Sequence, residues 1–186
     1  RVVKTLGKTG DPGVLPLVES ATKDELTTVR IAAYGALIRL GKKEVWTELK
    51  KASASPNPED RADAIRTMAE LKDHRGAPVM MEALTYKQPS VRGAAARGLG
   101  HLGYTEARGS IEQLLKDPVP AVRESAVTGL AELGGSESVS ALNKALSDGS
   151  HTVRASAVAA LLQLGQPYST VATTAQSLAQ QNDMAM

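Results

Sequence analysis

The polar and apolar positions of this chain repeat with helical spacing. Counting from Val29, Asp60, Val91, Val122 and Val153 as position 0, apolar or small residues return at positions 4, 7, 8 and 11. Position 4 is Ala33, Ala64, Ala95, Ala126 or Ala157. Position 8 is Leu37, Met68, Leu99, Leu130 or Leu161, and position 11 is Leu40, Leu71, Leu102, Leu133 or Leu164. At 100° per residue, positions 0, 4, 8 and 11 fall on one stripe and predict an amphipathic helix. Gly41, Gly103, Gly134 and Gly165 follow the last leucine, where a helix commonly ends, and Lys72 is the exception. A second apolar periodicity follows each of the first four of these helices after a short turn: Leu49 and Ala52; Met80, Ala83 and Leu84; Ile111, Leu114 and Leu115; Leu142, Ala145 and Leu146. Turns rich in Pro, Asp and Gly separate the two, as in "SPNPED", "KQPS", "DPVPA" and "SDGSHT". Period-two alternation is not sustained anywhere, so no sheet is expected.

The markers recur at a constant step of 31 residues through five copies. Each copy predicts two short helices, and a lone pair cannot bury its own apolar stripe. Stacked pairs can, with one continuous core running between neighbours. The expected fold is all-α: a right-handed α-solenoid with full repeats at 8–41, 42–72, 73–103, 104–134 and 135–165. "VVKTLG" in residues 1–7 reads as the tail of a preceding repeat. Residues 166–186 read as a partial repeat or cap, with a helix from about Tyr168 to Gln181. A chain that begins and ends inside a repeat reads as a fragment of a longer protein. The alternative is a whole protein with atypical caps.

The unit VR-x-x-A-x-x-x-L-x-x-LG resembles the short bacterial HEAT-like repeat, the type also found in phycobilisome lyase subunits. The resemblance covers roughly residues 8–165. It implies an armadillo-like scaffold of helix pairs, and it says little about chemistry, because such repeats serve many unrelated proteins.

The core must be built from Ala, Leu and Val, because aromatic residues are 3% and Phe is absent. With 22 basic and 20 acidic residues, the net charge of +2 announces neither a nucleic acid nor a membrane surface. There is no cysteine, hence no disulfide, thiolate nucleophile or Cys-based metal site. No apolar run approaches the roughly 20 residues of a membrane span. His74, His101 and His151 do not form a metal motif, and no Gly-x-Ser-x-Gly elbow or phosphate loop occurs. No catalytic residue, metal or cofactor is expected. Cytoplasm and periplasm both fit this composition.

Arg30, Arg61, Arg92, Arg123 and Arg154 admit two readings. They form either a positive stripe for an anionic partner or a structural ladder. Asp24, Asp117 and Asp148 stand six residues before three of them, with Ser55 and Tyr86 in the other two units. The Asp–Arg ladder of HEAT repeats, which this spacing resembles, implies the structural role. A guanidinium has five donors in a fixed fork, suited to bridging carbonyl and carboxylate oxygens.

In such solenoids the second helix of each unit lines the concave side. Its face away from the core holds positions 2, 6 and 9, and those are small and apolar here, with Arg66 and Arg97 in the middle. Either a peptide or helix lies along this face, or small residues merely let the helices approach. On the first reading the partner-binding residues are Ile31, Ile38, Arg66, Arg97, His101 and Leu162, with Arg66, Arg97 and His101 as an anionic anchor. The expected function is a non-catalytic scaffold that binds a protein or peptide, or another domain of its own chain, as a monomer or weak end-to-end dimer. An accessory module of an enzyme, like a phycobilisome lyase subunit, is the alternative. DNA binding ranks third, disfavoured by the near-neutral charge.

Overall fold

The computed structural model describes residues 2–184 of the chain. Twelve α-helices and no strand occur among the described residues. They are α1 (Val2–Leu6), α2 (Leu15–Ala21), α3 (Thr27–Arg39), α4 (Trp46–Ala52), α5 (Pro58–Glu70) and α6 (Ala77–Ala83), then α7 (Pro89–Leu102), α8 (Arg108–Gln113), α9 (Pro120–Leu133), α10 (Gly135–Ala145), α11 (His151–Gln163) and α12 (Tyr168–Met184). Each unit is a short first helix (α2, α4, α6, α8, α10) followed by a longer second helix (α3, α5, α7, α9, α11). This is the helix-pair stack of a HEAT/armadillo-type α-solenoid.

Local chemistry sets the element ends. Pro58, Pro89 and Pro120 open α5, α7 and α9, where a missing N–H costs nothing. A 3₁₀ turn leads into the first helix at Pro12–Val14, Lys43–Val45, His74–Gly76 and Thr105–Ala107. The fifth unit departs from this: Gly134 and Gly135 both have positive φ, and α10 begins at once. Leu114 and Leu115 fall in a closing 3₁₀ turn, Leu114–Lys116, rather than in α8 itself. The residue after the last leucine has positive φ in all five units, 95° at Gly41 and 70° at Gly103, and Lys72 takes the same region at 52°.

Positions 4 and 8 are buried in every unit, from Ala33 and Leu37 to Ala157 and Leu161. Most of the core is one continuous cluster running from Ile31 to Val171, with a smaller one around Val18, Ala36 and Leu37 in the first unit. The main contacts between units run from second helix to second helix: α3–α5, α5–α7, α7–α9 and α9–α11. First helices pack on the second helix of their own unit, and α4 and α10 pack as much on that of the preceding unit. The second helices therefore form the tight inner row of the stack.

That row is close because it has little side-chain volume. A Cβ on Gly100 would lie 2.4 Å from the Gly129 carbonyl oxygen, and one on Gly129 would lie 2.4 Å from the Ala96 carbonyl oxygen. A Cβ on Gly35 would meet Thr67 Cγ2 at 2.5 Å. These separations are impossible for real atoms, so the glycines are a packing requirement of the inner seam.

Candidate functional site: a groove over the inner helices

The tight seam corrects the expected exposed face. Ile31 is only 1% exposed and belongs to the core shared with the next unit, so it cannot meet a partner. Ala62, Ala69, Gly93, Gly100 and Ala131, also at positions 2 and 9, are buried as well. The reason is that position 2 of one second helix faces the next one, as Gly93 faces Ser125. Ile38 is half-buried against the core. Of the other residues predicted to contact a partner, Arg66, Arg97, His101 and Leu162 are exposed. Leu162 stands apart on α11, beside exposed Ala155 and Ala159.

The structure does bring Arg66, Arg97 and His101 together. They line a groove of about 530 Å³ laid across α5, α7 and α9. Its floor includes Ala69, Gly93, Ala94 and Gly98. Pro89, Ser90 and Ala121, near the N-terminal ends of α7 and α9, form one side; Glu70, His101 and Glu132, near the C-terminal ends, form the other. Ser125 and Thr128 complete the wall on α9, and their hydroxyls bond back to the Ala121 and Glu124 carbonyls.

Most charges around the groove are already matched. Arg66 donates to Asp63 at 2.6 Å. Glu70 accepts from Lys4 and, at 3.3 Å, from Arg39. His101 Nδ1 lies 3.3 Å from a Glu132 carboxylate oxygen. Arg97 has no hydrogen bond or ion pair among the described residues, although it is exposed and lines the groove. Sequence reading passed over Ser90, Ala121 and Ser125. Glu70 and Glu132 were legible, because they share the repeat position of His101.

The arginine ladder lies elsewhere, at the turns. Each arginine donates to the carbonyl oxygen six residues back: Arg30 to Asp24, Arg61 to Ser55, Arg92 to Tyr86, Arg123 to Asp117 and Arg154 to Asp148. Carboxylate pairing runs the other way, to the following unit. Arg92 Nε and Nη2 donate to Asp117 at 2.7 and 2.9 Å, and Arg123 does the same to Asp148 at 2.7 and 2.8 Å. Arg61 meets Tyr86 at the equivalent place, its guanidinium 4.1 Å from the ring centroid. Asp24 has no such arginine before it among the described residues, and its carboxylate accepts from the Leu26 N–H. Burial works against ionisation of Asp117 and Asp148, but the arginine hydrogen bonds, turn N–H groups and nearby charge outweigh it, so both carboxyls titrate below the usual aspartate range. A further clip joins units four and five: Arg108 donates to the Gly134 carbonyl at 2.7 Å and to buried Ser138.

No cluster of three or more His, Asp or Glu side chains suited to a metal occurs among the described residues. No helix there is long and apolar enough to cross a membrane.

Stacked helix pairs with an open groove over the inner helices define the class: a HEAT/armadillo-like repeat scaffold. The sequence profile of HEAT repeats matches residues 47–118 and again 108–183, and the chain belongs to the HEAT repeat family. No curated protein matches the chain. Among solved structures it is similar to the complex of CpcE and CpcF of phycocyanin lyase from Nostoc sp. PCC7120, at 27% identity and a TM-score of 0.65 over 81% of this chain and 99% of that one. Human deoxyhypusine hydroxylase matches at 20% identity and a TM-score of 0.55, over 89% of this chain and 67% of that one. A computationally designed armadillo repeat protein for modular peptide recognition matches at 17% identity and a TM-score of 0.57, covering 87% and 91%. The last two likenesses concern the fold alone.

Proposed function

We propose that the chain is a non-catalytic scaffold whose inner groove receives a segment of another protein, or of another domain of its own chain. The observation that carries this reading is the 530 Å³ groove over α5, α7 and α9, floored by small residues and lined by an arginine without a counter-charge among the described residues. Small residues expose the helix backbone surface and leave room for an incoming chain, and the polar rim supplies orientation. Arg66, Arg97 and His101 are the contact residues in this reading.

The test uses a display library of random peptides selected on the folded chain. Ala121 is exposed and lines the groove, so Ala121→Trp fills the groove without disturbing the core. Selected peptides are expected to lose at least tenfold in affinity for this variant in fluorescence anisotropy. Equal affinity would place the binding site elsewhere.

Similarity to the CpcE–CpcF complex favours a second reading, an accessory module of an enzyme. It predicts saturable binding of a free bilin with an induced absorbance change, and a flat titration rejects it.

A further inference from the structure

Within that groove reading, we infer that the occupant is an acidic segment of a protein chain, seated with one carboxylate on Arg97. Arg97 is the one groove-lining charge without a counter-ion among the described residues, while Arg66, Glu70, His101 and Glu132 each have one. An unpaired guanidinium presents its full donor fork, and a carboxylate matches that fork with two parallel hydrogen bonds. A basic side chain at the same place would meet like charge, and an apolar one would leave Arg97 covered and unpaired.

The groove's surroundings choose between anionic partners. Glu70 and Glu132 stand on its rim, on either side of His101 in the repeat order. A nucleic-acid strand carries a phosphate at every residue and would drive several of them past these carboxylates. A peptide needs only one acidic residue, with small or apolar neighbours over Ala69, Gly93 and Ala94. Adjacent packed helices lie about 8–10 Å apart, so three span about 20 Å. At about 3.3 Å per residue this accommodates roughly six residues of extended chain.

The peptides selected on the wild-type chain are sequenced and measured against Arg97→Glu and Ala121→Trp variants, each checked by circular dichroism. The expected result is one fixed Asp or Glu among the selected sequences. Replacing it with Gln, or using Arg97→Glu, weakens binding at least tenfold, and a Lys at the same peptide position recovers binding to Arg97→Glu. Peptides that lose affinity on Ala121→Trp but carry no acidic residue and ignore Arg97→Glu overturn the inference and leave the groove reading standing. Indifference to both variants overturns the two together. A single-stranded DNA oligonucleotide that binds the wild type, but not Arg97→Glu, at the same salt as the peptides overturns the choice of a protein segment.

Discussion

Arg92 and Asp117 lie in successive repeats, 25 residues apart, and meet through two parallel hydrogen bonds of 2.7 and 2.9 Å. The Asp117 carbonyl oxygen in turn accepts from Arg123, whose remaining donors hold Asp148 in the next unit. The result is a relay of side-chain and backbone bonds across three units, with the carboxylates of Asp117 and Asp148 largely hidden from water.

Removing one arginine from this relay strands a carboxylate. Arg92→Met is expected to lower the stability of the chain by about 3 kcal/mol, the cost of leaving a buried ion without its partner. Arg154 bonds only to carbonyl oxygens among the described residues and is exposed, so Arg154→Met is expected to lose about 1 kcal/mol. Urea titrations of the two variants measure the difference.

The same pairs set the acid limb of stability. The folded-state pKa values of Asp117 and Asp148 are lowered, so their contribution is in full force above the ordinary aspartate value of about 3.9 and fades as pH falls through the folded-state values. Asp117→Asn and Asp148→Asn should each reduce stability at pH 7 and flatten its decline below pH 4. Thermal melts across that range read both effects.

Two glycines in helices are expected to respond oppositely to alanine. Gly100→Ala forces a methyl to within 2.4 Å of a backbone oxygen in α9, and the inner seam must open. A loss of about 3 kcal/mol is expected, at the upper end for overpacking. A Cβ on exposed Gly109, in α8, meets nothing within 4 Å. Gly109→Ala should raise stability by about 0.5–1 kcal/mol through helix propensity alone. Chemical denaturation separates the two.

Lys72 keeps a left-handed backbone at φ 52° where the other four units have a glycine just after Leu. A side chain there costs about 1–2 kcal/mol relative to a right-handed conformation. Lys72→Gly should therefore stabilise the chain by about 1 kcal/mol, seen as a shift of the urea midpoint with an unchanged slope.

The fold was legible because one spacing carried four independent markers. Ala at position 4 and Leu or Met at position 8 identify the core face from spacing alone, and they are buried in every unit. The inner face was harder to read. Small residues at positions 2 and 9 satisfy both an open surface and a tight helix seam, and only the interhelical distance separates the two. Ile31 shows the difference: its position matches the open face of α11, but α5 packs over it. The direction of the Arg–Asp pairs was hidden for a similar reason. Six residues of separation bring only the Asp117 carbonyl to Arg123, whereas the fold brings the Asp117 carboxylate to the arginine of the preceding unit. Arg97 was visible as a charge on a neutral face, but its lack of a counter-ion depends on where Asp63, Glu70 and Glu132 settle.

The groove and the seam share residues. Gly93 and Gly98 line the groove, and their missing side chains also make room for Ser125 of α9 and Met80 of α6. The width of the groove therefore follows the bend of the superhelix, and a tenant that fits one width best acts as a splint for it. Straining the solenoid from its ends should in return loosen the tenant, by the reciprocity that links any two events sharing one free energy.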